Sequence, residues 1–255
     1  MTAVRRGILG VLAALLVWEL AARLDLPLLA AWPPPTEVAE DLVEVASSGG
    51  YWNSWLLSFE RVFWGFVIAL LIGIPFGLLM ATSRTAKRIL FPPFETLRPV
   101  PPLAWVPLAI LFWPTQELSI TFVIFLGAFY TVVVNVVGGA EQIDRRYLLA
   151  ARSLGAKRFT LFRRVIVPAA LPSIITGAAV GMGITWEVVV AAELISGGGQ
   201  DAADGGLGFL VWNSYQGGDL ARVVVGMISL GVAGYLSSGA VRIAGERLMP
   251  WRRVA

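Results

Sequence analysis

The amino-acid sequence predicts an all-α integral membrane protein of about six transmembrane helices with both termini in the cytoplasm. Three observations carry that reading. Of 255 residues, 57% are apolar and only 15% charged, with a mean hydropathy of +0.74, whereas soluble domains average about 25% charged. Six apolar stretches have, or approach, the ~20 residues that a ~30 Å hydrocarbon core demands of a helix. The basic residues divide unequally among the connecting segments, as membrane topology requires. The same composition excludes disorder. The chain has no cysteine and no histidine, which removes disulfide frameworks, thiol nucleophiles, cysteine zinc sites, serine–histidine dyads and HExxH centres.

The first stretch, 7–24, follows Arg5 and Arg6 in the manner of a signal peptide. It is read instead as a retained span, because its apolar run is long, contains Trp18, and meets no small-x-small site before Trp32-Pro33-Pro34-Pro35. Glu19 and Arg23 stand at i,i+4 and pair on one helix face. Thr36 to Ser47 then reads as an amphipathic helix on the outer membrane surface, with Thr36 as its N-cap. Val38, Leu42 and Val45 form its apolar side, and Glu37, Glu40, Asp41 and Glu44 its wet side. The second span is 62–82. The third, 103–113, is short and proline-broken, and crosses only as a bent or tilted helix over 99–113. The remaining spans are 118–139, 173–195 and 221–241, within one transmembrane domain over 1–255. Segments 33–60 and 196–220 lie outside the cell, and 140–171 is a long cytoplasmic loop. In this topology all of the 20 basic residues except Arg23, Arg61 and Arg222 face the cytoplasm. The pI of 9.6 is thereby a topological signal, and nucleic acid is not a partner.

The cytoplasmic loop is the most informative segment. Glu141 to Leu154 reads as one helix, with Glu141 and Arg145 paired at i,i+4 and Gly155 supplying its end. A second run, Ala156 to Val167, sets Phe159, Phe162 and Val165 on one stripe and Lys157, Arg158, Arg163 and Arg164 elsewhere. Pro168 and Pro172 close it before the fifth span. Such a helix–turn–helix is a surface for docking. A basic loop lying on anionic lipid accounts for the charges but not for the punctuation at Gly155 and Pro168. Nucleotide and metal chemistry have no footing in the chain: no GxxxxGK[ST] occurs, Gly206-Leu207-Gly208 lacks a strand–turn–helix context, and no metal-ligand cluster is present. The serines and aspartates lie mostly in loops without a partner base, so the chain is not read as an enzyme.

Ala150-Ala151, Gly155, Val165, Val167 and Pro168 reproduce the spacing of the "EAA" loop, and in this the chain resembles the membrane subunits of ATP-binding-cassette (ABC) importers. Leu149 stands at the motif's glutamate position. From about Pro33 to Arg242 the likeness narrows to one branch, the binding-protein-dependent, type I permeases for nitrate, sulfonate, taurine and bicarbonate. It is carried by Ser58-Phe59-Glu60-Arg61 with Gly65, Gly73-Ile74-Pro75-Phe76-Gly77, Arg98-Pro99-Val100-Pro101-Pro102, the stretch from Trp105 to Leu108, Ala191-Ala192-Glu193-Leu194, and Gly206-Leu207-Gly208-Phe209 with Trp212. The glycine-rich outer segment 196–206 is longer than that branch leads one to expect.

The resemblance implies a type I ABC importer permease-like fold in the bacterial cytoplasmic (inner) membrane, as a multi-pass subunit. It implies a homodimer with cytoplasmic ABC ATPase subunits beneath and an extracytoplasmic solute-binding protein above. The chain itself carries no cofactor, ATP and Mg belonging to the partner ATPase, and the cargo is a small anion or organic acid. Ala150, Ala151, Leu154, Gly155, Ala156, Lys157, Arg158, Phe159 and Pro168 would form the coupling helix that meets the ATPase. For the translocation path or gate the candidates are Asn135, Thr185, Trp186, Glu187 and Glu193, since an ionisable or polar group within a span is a functional candidate by default. Glu187 and Glu193 lie on different faces of the fifth span, so at most one faces a central path. Each also has a structural reading, as a partner for an arginine or a backbone amide, and Trp186 as an interfacial anchor. The competing function, a self-sufficient secondary carrier or channel, would show an internal repeat and midplane charges and would leave the docking loop unexplained.

Overall fold

The computed structural model describes residues 2–24, 32–195 and 205–251. Most of the 196–206 segment, together with Arg252 and Arg253, lies outside the described residues. Helix is the sole regular structure among those described. In chain order the helices are α1 (Thr2–Arg23), α2 (Pro35–Ala46), α3 (Gly49–Thr82), α4 (Arg84–Leu97), α5 (Val106–Phe112), α6 (Gln116–Glu141), α7 (Arg145–Ser153), α8 (Arg158–Leu161), α9 (Val167–Ile195), α10 (Leu207–Gln216) and α11 (Leu220–Arg247). A 3-10 turn, Pro102–Trp105, leads into α5, and a π-helical turn, Phe162–Ile166, joins α8 to α9. Gly49–Thr82, Gln116–Glu141, Leu220–Arg247 and the continuous run Arg158–Leu194 are long and apolar enough to cross a membrane. Pro102–Phe112 is a shorter apolar run. Helix α1 carries Arg5, Arg6, Glu19 and Arg23 and falls outside those four.

The chain divides into two compact units, the first comprising residues 1–58 and 198–231 and the second residues 59–197 and 232–255. In the first unit, Ile8, Leu12, Leu16 and Val17 of α1 are all exposed. Its Glu19–Arg23 pair forms at 2.5 Å, as the spacing predicts. Thr36, however, does not cap α2. The N-cap is Pro34, with proline also in the first turn, where its missing N–H is harmless. The backbone N–H of Thr36 donates to Glu19 Oε2 at 3.1 Å and its hydroxyl donates to Glu19 Oε1 at 3.0 Å. The carboxylate that satisfies this first-turn donor thus comes from α1, 17 residues away. Val38 and Val45 of α2 are buried, as the helical spacing predicts, whereas Leu42, read on the same apolar side, is exposed. Asp41 and Glu44, read as a wet face, instead accept from Arg222 Nη2 at 2.8 and 3.4 Å.

Register defines the second unit. A Cβ at Gly65 would meet Ile124, at Gly73 Val132, and at Gly77 Val136, at 2.6, 3.3 and 2.8 Å respectively. The residue numbers rise together, so α3 and α6 run parallel, with glycines letting their backbones approach. Two successive apolar helices can be parallel only if the chain between them returns, and that return falls to α4, α5 and the proline-rich turn between them. Helix α9 packs antiparallel on α6: Gly181 lies against Ala128, Gly177 against Asn135, and Gly139 against Ser173. Helix α11 packs antiparallel on α9, with Gly245 against Ile175 and Gly234 against Trp186. The ends of α3, α6 and α11 and the start of α9 therefore gather at one end of this unit. Arg84, Lys87, Arg88, Arg145, Arg158, Arg163, Arg164, Arg242 and Arg247 all belong to that basic end.

Two features of the 140–171 loop differ from the sequence reading. Glu141 ends α6 and pairs with Lys87 rather than with Arg145, because the helix breaks at Gln142. Nor do Pro168 and Pro172 close a helix. Val167 N–H donates to Phe162 O, five residues back. That wider turn accommodates the proline ring just inside α9, and the helix continues through Pro172 to Ile195.

Candidate functional site

At the basic end, α7 starts at Asp144, whose carboxylate accepts from Arg146 N–H at 2.8 Å. It stops in a turn that closes two orphan carbonyls: Ala156 N–H donates to Ala151 O at 3.0 Å and Gly155 N–H to Arg152 O at 2.9 Å. This is a Schellman motif, and its left-handed residue is Gly155 at φ +80°. The chain therefore turns sharply between α7 and α8, as the placement of Gly155 predicts. The hairpin displays its apolar side chains instead of burying them. Leu154 is 89% exposed, Phe159 71% and Tyr147 67%. Ala150, Lys157 and Arg158 are exposed too, Ala151, Ala156 and Pro168 half-buried. Beneath the hairpin lies a cavity of about 740 Å³ lined by Ser83 and Arg84 of the α3–α4 turn, by Leu148 and Arg152 of α7, and by Arg158, Phe159 and Phe162. Apolar side chains held out to solvent beside arginines make a surface that can dock a protein.

At the opposite end of the second unit three helices meet in an ion cluster. Arg61 of α3 is 5% exposed. Its Nη1 donates to Glu193 Oε1 of α9 at 3.0 Å, and Glu193 is fully buried. Its Nε and Nη2 grip Glu117, at the start of α6, in a two-pronged contact at 2.9 and 2.5 Å. A buried guanidinium is stable only if its donors are met by charge, and here carboxylates on two helices meet three of them.

The other path candidates scatter. Glu187 is exposed, on a different face of α9 from Glu193. Thr185 is buried and its hydroxyl donates to Met182 O at 2.6 Å. Trp186, read as an interfacial anchor or path residue, is 3% exposed and donates from Nε1 to Ser237 of α11 at 2.8 Å; it holds two helices together. Asn135 donates to Thr131 O in its own helix at 2.9 Å, and its Cβ fills the space left by Gly177. The sequence reading missed the partners Glu117, Lys87 and Ser237. Arg61 and Glu193 lie 132 residues apart, and no local spacing connects them. The available signal was that an arginine and an acid each stand inside apolar spans, where each needs an opposite charge.

Residues 73–251 match the family described as binding-protein-dependent transport system inner membrane component. The chain is 36% identical, over 95% of its length and 88% of the other protein, to the taurine transport system permease protein of Escherichia coli (strain K12). It is 34% identical, over 76% of its length and 67% of the other, to the nitrate import permease protein of Leptolyngbya laminosa. In fold it is similar to a chain of the MetNI methionine ABC transporter in an inward-facing conformation, with a TM-score of 0.58 and 24% identity over 81% of this chain and 94% of that one.

Proposed function

This chain belongs to the family of binding-protein-dependent transport system inner membrane components, and from that premise we propose the cargo, the assembly and the residues that couple it to ATP. It is a permease component of an ABC importer in the inner membrane, with ATP hydrolysis on a separate subunit. The cargo is a small anion or organic acid of the kind for which relatives are named, taurine and nitrate among them. Two copies of the chain enclose the path, a solute-binding protein delivers cargo from outside, and ATP and Mg are bound by the partner ATPase.

The basic end of the second unit faces the cytoplasm in this reading, as the positive-inside rule favours, and the Arg61 cluster lies toward the outside. The observation that carries the coupling assignment is the hairpin of α7 and α8, which holds Leu154 and Phe159 out of the fold around a left-handed Gly155. Ala150, Ala151, Leu154, Gly155, Ala156, Lys157, Arg158 and Phe159 seat it on the ATPase, and Pro168 joins it to α9. Because α9 is continuous with the π-helical turn, a push on the hairpin reaches the span without an intervening loop. ATPase closure then shifts the permease between outward-open and inward-open states. Gly155→Val forces a β-branched residue into positive φ, and Ala151→Glu places a charge on the same turn. Each should insert in the membrane normally yet lose co-purification with the ATPase and the stimulation of hydrolysis by loaded binding protein. Wild-type values on both measures would remove the coupling assignment.

A further inference from the structure

The cavity of about 740 Å³ beneath the α7–α8 hairpin carries positive charge that nothing in the fold answers. Arg84 of α4, Arg152 of α7 and Arg158 of α8 line it, and among the described residues no carboxylate does. The two acids of the 140–171 loop are engaged elsewhere: Glu141 pairs with Lys87, and Asp144 caps α7 by accepting from Arg146 N–H. Among the described residues the three guanidiniums make no ion pair or hydrogen bond. Ser83 also lines the cavity. Its Oγ accepts from Ala86 N–H at 3.2 Å, which leaves the hydroxyl proton to donate. Three helices thus bring arginines around a space that offers them no anion of its own. Guanidiniums grip phosphate oxygens in two-pronged contacts, and repulsion among like charges around one cavity falls when an anion enters it.

The place of the cavity in the fold says where such an anion comes from. Much of the remaining lining is apolar, Ala81, Ala140, Ile143 and Ile166 included. Ala81 and Ala140 stand in the last turns of the membrane-length helices Gly49–Thr82 and Gln116–Glu141, and Arg158 opens the membrane-length run Arg158–Leu194. The cavity therefore sits where three apolar helices reach the membrane surface, level with the lipid headgroups. We infer that it binds the phosphodiester headgroup of an anionic phospholipid, with Arg84, Arg152 and Arg158 holding the phosphate and the apolar lining taking the glycerol. Basic pockets between membrane-crossing helices suit such headgroups. One lipid on all three arginines clasps the hairpin to the ends of α3 and α6, and so fixes the pose in which Leu154 is displayed. The inference goes beyond the coupling assignment and needs only that these helices cross a membrane.

The test titrates the purified full-length chain in neutral detergent with phosphatidylglycerol and, separately, with phosphatidylcholine, counting bound lipid by native mass spectrometry. Arg84→Gln with Arg152→Gln removes two of the cavity's charges and spares Arg158, which the coupling assignment also uses. Arg88→Gln with Arg145→Gln removes two exposed charges from the same basic end but outside the cavity, and so measures diffuse attraction. Wild type should retain one phosphatidylglycerol per chain in preference to phosphatidylcholine. The cavity double variant should weaken that binding about 25-fold, at about fivefold for each arginine, and the control pair by less than about twofold. Equal losses in the two double variants, or equal retention of the two lipids, overturns the inference. Two further arms fix the occupant. Millimolar inorganic phosphate should leave the lipid bound, and displacement would hand the site to a soluble phosphate. Added ATPase should leave it bound too, and loss of the lipid on assembly would give the cavity to that partner; either result overturns the lipid assignment. An ATPase that does not associate at all counts against the importer reading alone, because the lipid titration is read on the chain without it.

Discussion

Counting hydrogen bonds in the Arg61 cluster points to Glu117, which accepts two, whereas burial points to Glu193, which is fully enclosed while Glu117 is 61% exposed. Burial decides between them. Removing one partner of a buried ion pair costs about 3–5 kcal/mol, because the charge left behind is stranded. In Glu193→Gln the guanidinium keeps its contact with Glu117, so the loss should sit at or just below that range, about 2–3 kcal/mol. For a chain of this size that corresponds to a fall in Tm of roughly 5–10 °C. Glu117→Gln removes an exposed carboxylate and should cost only about 0.5–1 kcal/mol. Arg61→Met takes the arginine away from the fully buried Glu193 carboxylate and should be worse than either. Pairing it with Glu193→Leu should recover much of the loss, since two apolar side chains can replace a buried ion pair. Thermal unfolding of the purified protein in detergent, followed by the fluorescence of its ten tryptophans, measures all four variants. Equal shifts for Glu193→Gln and Glu117→Gln, or a larger one for Glu117→Gln, would refute the reasoning.

Other contacts yield sharper contrasts than single values. Gly77→Val should lower Tm strongly, because its Cβ falls 2.8 Å from the Val136 side chain, while Gly138→Ala, with nothing within 4 Å, should be neutral or stabilising. Ser237→Ala leaves the Trp186 Nε1 donor buried without a partner and should cost about 1–3 kcal/mol, read as a drop in Tm; Trp186→Phe removes the donor but also part of the packing. Exchanging Lys87 and Glu141, both well exposed, should change stability by less than about 0.5 kcal/mol at ordinary salt, checked by unfolding at two ionic strengths.

What the sequence made legible is what local spacing encodes. The apolar helices, the Glu19–Arg23 pair, the buried side of α2 and the left-handed Gly155 each depend on residues within one or two turns. Thr36 was misread because the group that satisfies its N–H sits on another helix, and a threonine before an amphipathic run has the signature of a cap whether or not it serves as one. Pro168 was read as a stop, but the π-helical turn ahead of it removes the clash that makes proline a helix breaker. Arg61 with Glu193, and Trp186 with Ser237, are invisible locally because their register is set by tertiary packing, parallel between α3 and α6 and antiparallel among α6, α9 and α11. The glycines that permit that packing, Gly177 and Gly181 among them, carry no local mark of the helices they touch. Of the candidate path residues, only Glu187 is exposed, and sequence spacing established no more than that it faces away from Glu193.

The central claim is that this chain moves solute only when a partner ATPase drives it. Its most direct test is uptake of small zwitterionic and anionic solutes into proteoliposomes holding the purified chain, with and without ATPase, ATP and binding protein. The chain alone should move nothing under a proton or sodium gradient, and uptake should begin when the ATPase, ATP and binding protein are all supplied. Robust gradient-driven uptake by the chain alone would contradict the account.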